Sequence, residues 1–203
     1  MMTGQPNSHK KCSILLVDDD RLILSTMTTG LTRSGYQVSS AESVDEAEAW
    51  LSKGNLPDLV IIDVNMPERS GLELPQHLHS LGNIPFILLT ARSEREVIIL
   101  ANQLGAMGYL VKPIEIVQLI PAIETAMSRA GEIKNLKTTQ NQLQTALDAD
   151  RSVSIAVGIV MDKYQINYDD AFSKMRITAR SRQIKLIDMA YSIINAPQSL
   201  SLD

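Results

Sequence analysis

The chain holds one cysteine, Cys12, among its 203 residues, so neither an intrachain disulfide nor a cysteine-based zinc site can form. That scarcity suits a reducing compartment. Aromatic residues make up only 4%, with one Trp and two Phe, which excludes an aromatic platform that stacks bases as RRM sheets do. No apolar run approaches the roughly 18 residues that a membrane helix requires. Residues 1–11 are polar and lack the apolar core of a signal peptide. A soluble, cytoplasmic protein without a membrane partner is expected. Strong charge of one sign is missing too, the formal net charge being −4. Its distribution is uneven: residues 1–150 hold 12 basic and 18 acidic groups, net −6, while 151–203 hold 7 and 5, net +2. A slightly basic tail on an acidic body points to a nucleic-acid partner.

What is present is a chain with 44% hydrophobic residues, enough for a packed domain and a smaller second one. Leu59-Val60-Ile61-Ile62 reads as a strand buried on both faces, with Asp63 at its carboxyl end. Met66-Pro67 ends the ladder, because proline has no N–H to give, and Gly71 supplies the next flexible point. Further strands are expected at Cys12–Val17, Tyr36–Val38, Pro85–Leu89 and Gly108–Val111. Helical spacing predicts helices over 21–34, 43–52, 72–81 and 94–104, the second opened by a capping box of Ser43 and Glu46. Strands alternating with helices call for an α/β fold with a doubly wound, five-stranded parallel sheet.

From Ile116 the chain reads helical to about Asp150, with a stable start expected near Pro121. Ile133, Gln140 and Leu147 occupy one heptad seam position, and Leu136 and Leu143 the other. No glycine or proline falls between 132 and 150. The spacing fits a two-stranded coiled coil, or an amphipathic helix packed on its own domain. Residues 151–194 carry three more apolar-periodic segments, predicting a small three-helix all-α unit. Asn167 caps its second helix, and Gly158 implies close helix packing in its first.

A doubly wound sheet brings the carboxyl ends of its strands to one edge. Asp18 and Asp19, then Asp63, Thr90 and Lys112 stand there. Three carboxylates at one place require a cation, and oxygen ligands suit Mg²⁺. Lys112 as a point charge and Thr90 as a hydrogen-bond donor would serve a phosphoryl group. The simplest chemistry is phosphoryl transfer onto Asp63 itself. Taken singly, Asp18 and Asp19 could cap the first helix, Thr90 the fourth, and Lys112 could be a solvated lysine.

The segments LLVDDD, LVIIDVNMPERSG, ILLTA and GYLVKP, spanning residues 12–127, resemble the receiver domain of bacterial two-component response regulators, which is flavodoxin-like. The resemblance implies that Asp63 accepts phosphate from a sensor histidine kinase. It implies that Asp19, Asp63 and the Asn65 carbonyl hold Mg²⁺ with Asp18 acting through water, and that Thr90 and Tyr109 form a switch pair. It also implies a cis peptide at Lys112-Pro113. Every motif position is kept, and Arg92, two residues past Thr90, bears on the lifetime of the phosphate.

The run IAVGIVMDKYQINYDDAFSKMRITARSRQIKLIDMA resembles the ANTAR module, a three-helix RNA-binding unit of transcription antiterminators. Ala156, Gly158, Met161, Ala171, Phe172, Arg176, Ala179 and Leu186 fall on that family's pattern, while Val157 stands where it usually has lysine. RNA contact is then expected at Gly158, Arg176, Arg180, Arg182 and Lys185. Without the family, the basic residues read as a phosphate-contacting or a solvated face.

The expected organisation is a disordered tail (1–11), a receiver (12–127), a coiled-coil linker helix (128–150), an ANTAR-like output unit (151–196) and a frayed end (197–203). The expected function is a phosphorylation-controlled antiterminator that binds paired stem-loops in a leader transcript, dimeric at least when phosphorylated. It is no enzyme beyond its own phosphorylation and dephosphorylation. The rivals are a protein-interaction adaptor, a receiver held by a ligand-sensing partner, and a DNA-binding regulator. The last is disfavoured because no helix-turn-helix with a basic recognition helix is legible.

Overall fold

The apolar runs that read as strands assemble into one five-stranded parallel sheet. The computed structural model describes residues 12–91 and 95–195, apart from the side chains of 95–97. The strands are β1 (Ser13–Val17), β2 (Gln37–Ala41), β3 (Leu59–Asp63), β4 (Phe86–Thr90) and β5 (Gly108–Val111), in the order β2-β1-β3-β4-β5. Between them run α1 (Arg21–Arg33), α2 (Val44–Ser52), α3 (Leu74–Ser80) and α4 (Arg95–Gln103). The terminal residues, Arg92 and the helix stop expected at Ala196-Pro197 lie outside the described residues.

All five residues of β3 are buried, and their alternation feeds two cores. Val60 and Ile62 join Leu15, Val17 and Leu88 with Val44 and Leu51 of α2 and Leu74 and Leu78 of α3. Leu59 and Ile61 join Ile14, Leu16, Ile87 and Leu89 with Leu24, Met27 and Leu31 of α1 on the other face. A strand buried on both faces has no polar alternation, which is why the run reads as continuous apolar sequence. The strand order reverses between β1 and β3, so their carboxyl ends flank the crevice where such sheets place ligands.

Local chemistry sets the helix starts. The Asp20 side chain accepts from the Leu22 and Ile23 amides, at 2.8 and 3.3 Å, and caps α1. The Ser43 hydroxyl accepts from the Glu46 amide at 3.1 Å, while the Glu46 carboxylate accepts from Glu42 rather than Ser43. The helix expected over 72–81 is split into a 3₁₀ turn, Gly71–Glu73, and α3.

The largest departure is α5 (Ile116–Tyr164), a single helix of 49 residues. It neither waits for Pro121 nor breaks near Asp150. Leu119 donates to the Glu115 carbonyl, and the Gln118 side chain accepts from the Glu115 amide, completing a first turn ahead of the proline. Pro121 then removes only one intrahelical hydrogen bond. Leu119 before it, with Ile123 and Ala126 beyond it, fills the core that α1 lines. The polar run through Asp150 holds no glycine or proline to stop the helix.

The chain divides into two compact units after Ile133. In the second, the end of α5 packs with α6 (Tyr168–Ser181) and α7 (Leu186–Asn195). Its core is Ala156, Val157, Val160, Ala171, Met175, Ala179, Met189, Ala190 and Ile193. Asn167 caps α6 as expected, accepting from the Asp170 amide at 2.9 Å. Gly158 does not: a Cβ placed there meets nothing within 4 Å, so close packing is not its reason. It lies exposed on α5.

Candidate functional site

Strand register builds the site. Val17 pairs with Ile62 and Asp63 with Leu89, while Thr90 pairs with Val111. Asp18, Asp63, Thr90 and Lys112 therefore gather within one residue of four adjacent strand ends. Asp18, Asp63 and Thr90 are buried, at 0%, 4% and 1% exposure. The Lys112 ammonium donates to Asp18 at 2.6 Å and pairs with Asp63 at 2.9 Å, so it is no solvated lysine. The Lys112-Pro113 peptide is cis.

The three consecutive aspartates divide their work. Asp18 accepts from the Asp20 amide at 3.0 Å as well as from Lys112. Asp19 is exposed. Asp20, not Asp18 or Asp19, caps α1. Burial lifts the Asp18 pKa above the usual carboxylate value, and the hydrogen bonds from Lys112 and Asp20 only partly offset it. Burial also works against the Lys112 charge, but its bonds to Asp18 and Asp63 outweigh that and raise its pKa.

One oxygen each of Asp18, Asp19 and Asp63 lie within 4.8 Å of one another. Ligand oxygens on an octahedral Mg²⁺ stand about 2.9 Å apart where adjacent and about 4.1 Å where opposite, so the carboxylates would have to draw together around an ion. Three carboxylates against one ammonium leave two negative charges, a match for a divalent cation. Asn65 is exposed in the following loop, and its amide donates to Asp63 at 3.3 Å. Tyr109 is half-buried on β5, at 39% exposure.

Two residues of the site region were misread or missed. A Cβ on Gly71 would stand 1.9 Å from the Asp63 carbonyl oxygen. Space, not flexibility, requires glycine there. Arg69 ion-pairs with three carboxylates, two of them on α2, and no local pattern announces it.

The response regulator receiver domain model matches residues 14–124, and the ANTAR domain model matches 141–194. The chain belongs to the response regulators. It is 33% identical over 181 residues to the transcriptional regulatory protein PdtaR of Mycobacterium tuberculosis, covering 89% of this chain and 88% of PdtaR. The transcriptional regulatory protein PrrA of the same species is 36% identical over 120 residues, covering 58% of this chain and 51% of PrrA. Among solved structures, the chemotaxis protein CheY4 of Vibrio cholerae superposes with a TM-score of 0.54 at 29% identity, covering 57% of this chain and 98% of CheY4.

In this response regulator's ANTAR domain, Arg176, Ile177, Arg180 and Ser181 line an open cavity of about 350 Å³ along α6. Both arginines are exposed, and neither pairs with a carboxylate among the described residues. Arg182 and Lys185 follow on the exposed turn after α6. Val157 is fully buried in the domain core, so a lysine there would have to thread its ammonium out to water. No described helix is long and apolar enough to cross a membrane.

Proposed function

We propose that Asp63 accepts a phosphoryl group from a sensor histidine kinase, and that its phosphorylation controls RNA binding by the ANTAR domain and hence transcription antitermination. The observation that carries this reading is the buried Asp63 carboxylate beside Lys112, within reach of Asp18 and Asp19. An Asp63 oxygen attacks phosphorus while the donor's leaving group departs. Lys112 neutralises charge on the incoming group, and the Thr90 hydroxyl donates to one of its oxygens. Asp18, Asp19, Asp63 and the Asn65 carbonyl would hold Mg²⁺, which supplies charge neutralisation to the phosphoryl oxygens when bound. Tyr109 is the partner of Thr90 in the switch. For the ANTAR domain, the exposed Arg176 and Arg180 beside the cavity, without a carboxylate partner among the described residues, support phosphate contact, with Gly158, Arg182 and Lys185 as further contacts.

Asp63→Asn is expected to abolish Mg²⁺-dependent labelling by acetyl phosphate with an unchanged circular dichroism spectrum. Full labelling of that variant would remove Asp63 as the acceptor.

A further inference from the structure

Arg69 lies outside the acidic site and ion-pairs with three carboxylates. Its guanidinium grips Glu48 twice, at 2.8 and 3.1 Å, reaches Asp45, and bonds Glu73 at 3.1 Å. Asp45 and Glu48 belong to α2, and Glu73 to the turn before α3. One planar fork thus ties the loop after β3 to two neighbouring elements, which a single ammonium could not do.

That loop, residues 64–70, carries Asn65. Its ends are fixed: Val64 donates to the Leu89 carbonyl of β4 at 2.8 Å, while the Gly71 amide and the Ser70 hydroxyl donate to the Val64 carbonyl at 3.2 and 3.1 Å. Its middle is held differently. Glu68 adopts a left-handed φ of 67°, which residues with a side chain rarely take. Beside it, the Arg69 amide donates to the Pro67 carbonyl at 2.8 Å, and the Arg69 side chain bonds α2 and Glu73. Removing the guanidinium would also leave Asp45, Glu48 and Glu73 gathered without their cation, so they would separate.

Resting on the reading of Asp63 as acceptor with Mg²⁺ beside it, we infer that Arg69 is the positioning residue of the cation site. By bracing the loop against α2 it sets where the Asn65 backbone stands relative to Asp63. Its side chain bonds none of Asp18, Asp19 or Asp63, so its influence passes through the loop backbone alone.

The test uses the full chain with Mg²⁺ alone as probe, measured by calorimetric titration, together with hydrogen exchange of the 64–71 amides. Arg69→Ala should weaken Mg²⁺ binding on the order of tenfold, as loss of an outer-shell support does, and speed exchange in that segment. The Mg²⁺ concentration for half-maximal labelling by acetyl phosphate should rise by the same factor, with the rate at saturating Mg²⁺ near that of the parent. Arg69→Lys should fall between the two, and Glu48→Gln should shift affinity in the same direction by less. If Arg69→Ala does not fold, the other two variants carry the test. Unchanged Mg²⁺ affinity in the folded variants, even with a lowered melting temperature, would overturn the inference and leave the site reading intact. A parent that binds no Mg²⁺ and takes no label would overturn both.

Discussion

At Gly71 the backbone passes so close to the end of β3 that a methyl group has nowhere to go. An added Cβ would meet the Asp63 carbonyl oxygen at 1.9 Å and the Ile62 Cγ2 at 2.8 Å. Relief requires moving backbone, because the Asp63 oxygen is not the end of a flexible side chain. Gly71→Ala is therefore expected to cost about 2 kcal/mol as an overpacked site. That should lower the melting midpoint on the order of 10 °C for a domain of this size. It should also slow acetyl phosphate labelling, since the carbonyl that moves belongs to Asp63 itself. A melting midpoint and labelling rate equal to the parent's would show that the loop yields freely. Residues of this kind separate what sequence discloses from what it hides. Asp18, Asp63, Thr90 and Lys112 were legible because each follows an apolar strand, and a doubly wound sheet gathers strand ends. Gly71 was noticed for the wrong reason, since a close approach leaves no mark in sequence that distinguishes it from a flexible turn. Arg69 was invisible, because its partners Asp45 and Glu48 are 24 and 21 residues away and charge complementarity over such distances has no period.

Among the elements, α5 carries the most untold structure. Its strand and helix neighbours sit within a residue or two of their expected bounds, because apolar periodicity decides them, except β2, which runs three residues past Val38 through the polar Ser39 and Ser40 to Ala41. The start of α5 depended on the Gln118 side chain accepting from the Glu115 amide, which outweighed the warning of Pro121. Its continuity through Asp150 followed from the lack of glycine and proline between 132 and 150. The stripe of Ile133, Leu136, Leu143 and Leu147 is exposed, at 42%, 70%, 61% and 65%. The amphipathic alternative, a helix packed on its own domain, would have covered it. The next seam positions are Asp150 and Ser154, both exposed and polar, so the apolar seam spans only about two heptads. Two chains paired along so short a seam, with Gln140 at its centre, would form a weak pair that a second event could tip. The parent is expected to sediment as a dimer when phosphorylated, and Leu136→Glu with Leu143→Glu as a monomer with or without acetyl phosphate. A double variant that still dimerises would place the dimer contact elsewhere.

For the whole molecule the question is how a charge on Asp63 reaches the arginines of α6. Phosphorylation adds about −1.5 to −2 charges in a site already crowded with carboxylates. Thr90 is buried beside it and Tyr109 is half-exposed on the next strand, so drawing Thr90 toward the phosphate frees space for the ring to turn inward. The surface around β5 and the start of α5 then differs between the two states, and the same helix runs on into the output unit. On the proposed reading, a change in pairing of two chains along residues 133–147 would be enough to couple them, without any new contact to RNA. Each tail contributes only a few positive charges, so a single hairpin would be held weakly. Two tails on one transcript benefit from effective concentration. Phosphodonor should therefore raise affinity for an RNA with two neighbouring stem-loops far more than for one with a single stem-loop. Arg176→Ala with Arg180→Ala should weaken binding in every condition and reduce the slope of log affinity against log salt by roughly one to two units. The Leu136→Glu, Leu143→Glu variant should keep its one-hairpin affinity and lose the two-hairpin gain. The measurement is a salt-resolved binding titration with both RNAs, with and without acetyl phosphate. Equal affinities across all four conditions would favour a tail that docks a protein instead.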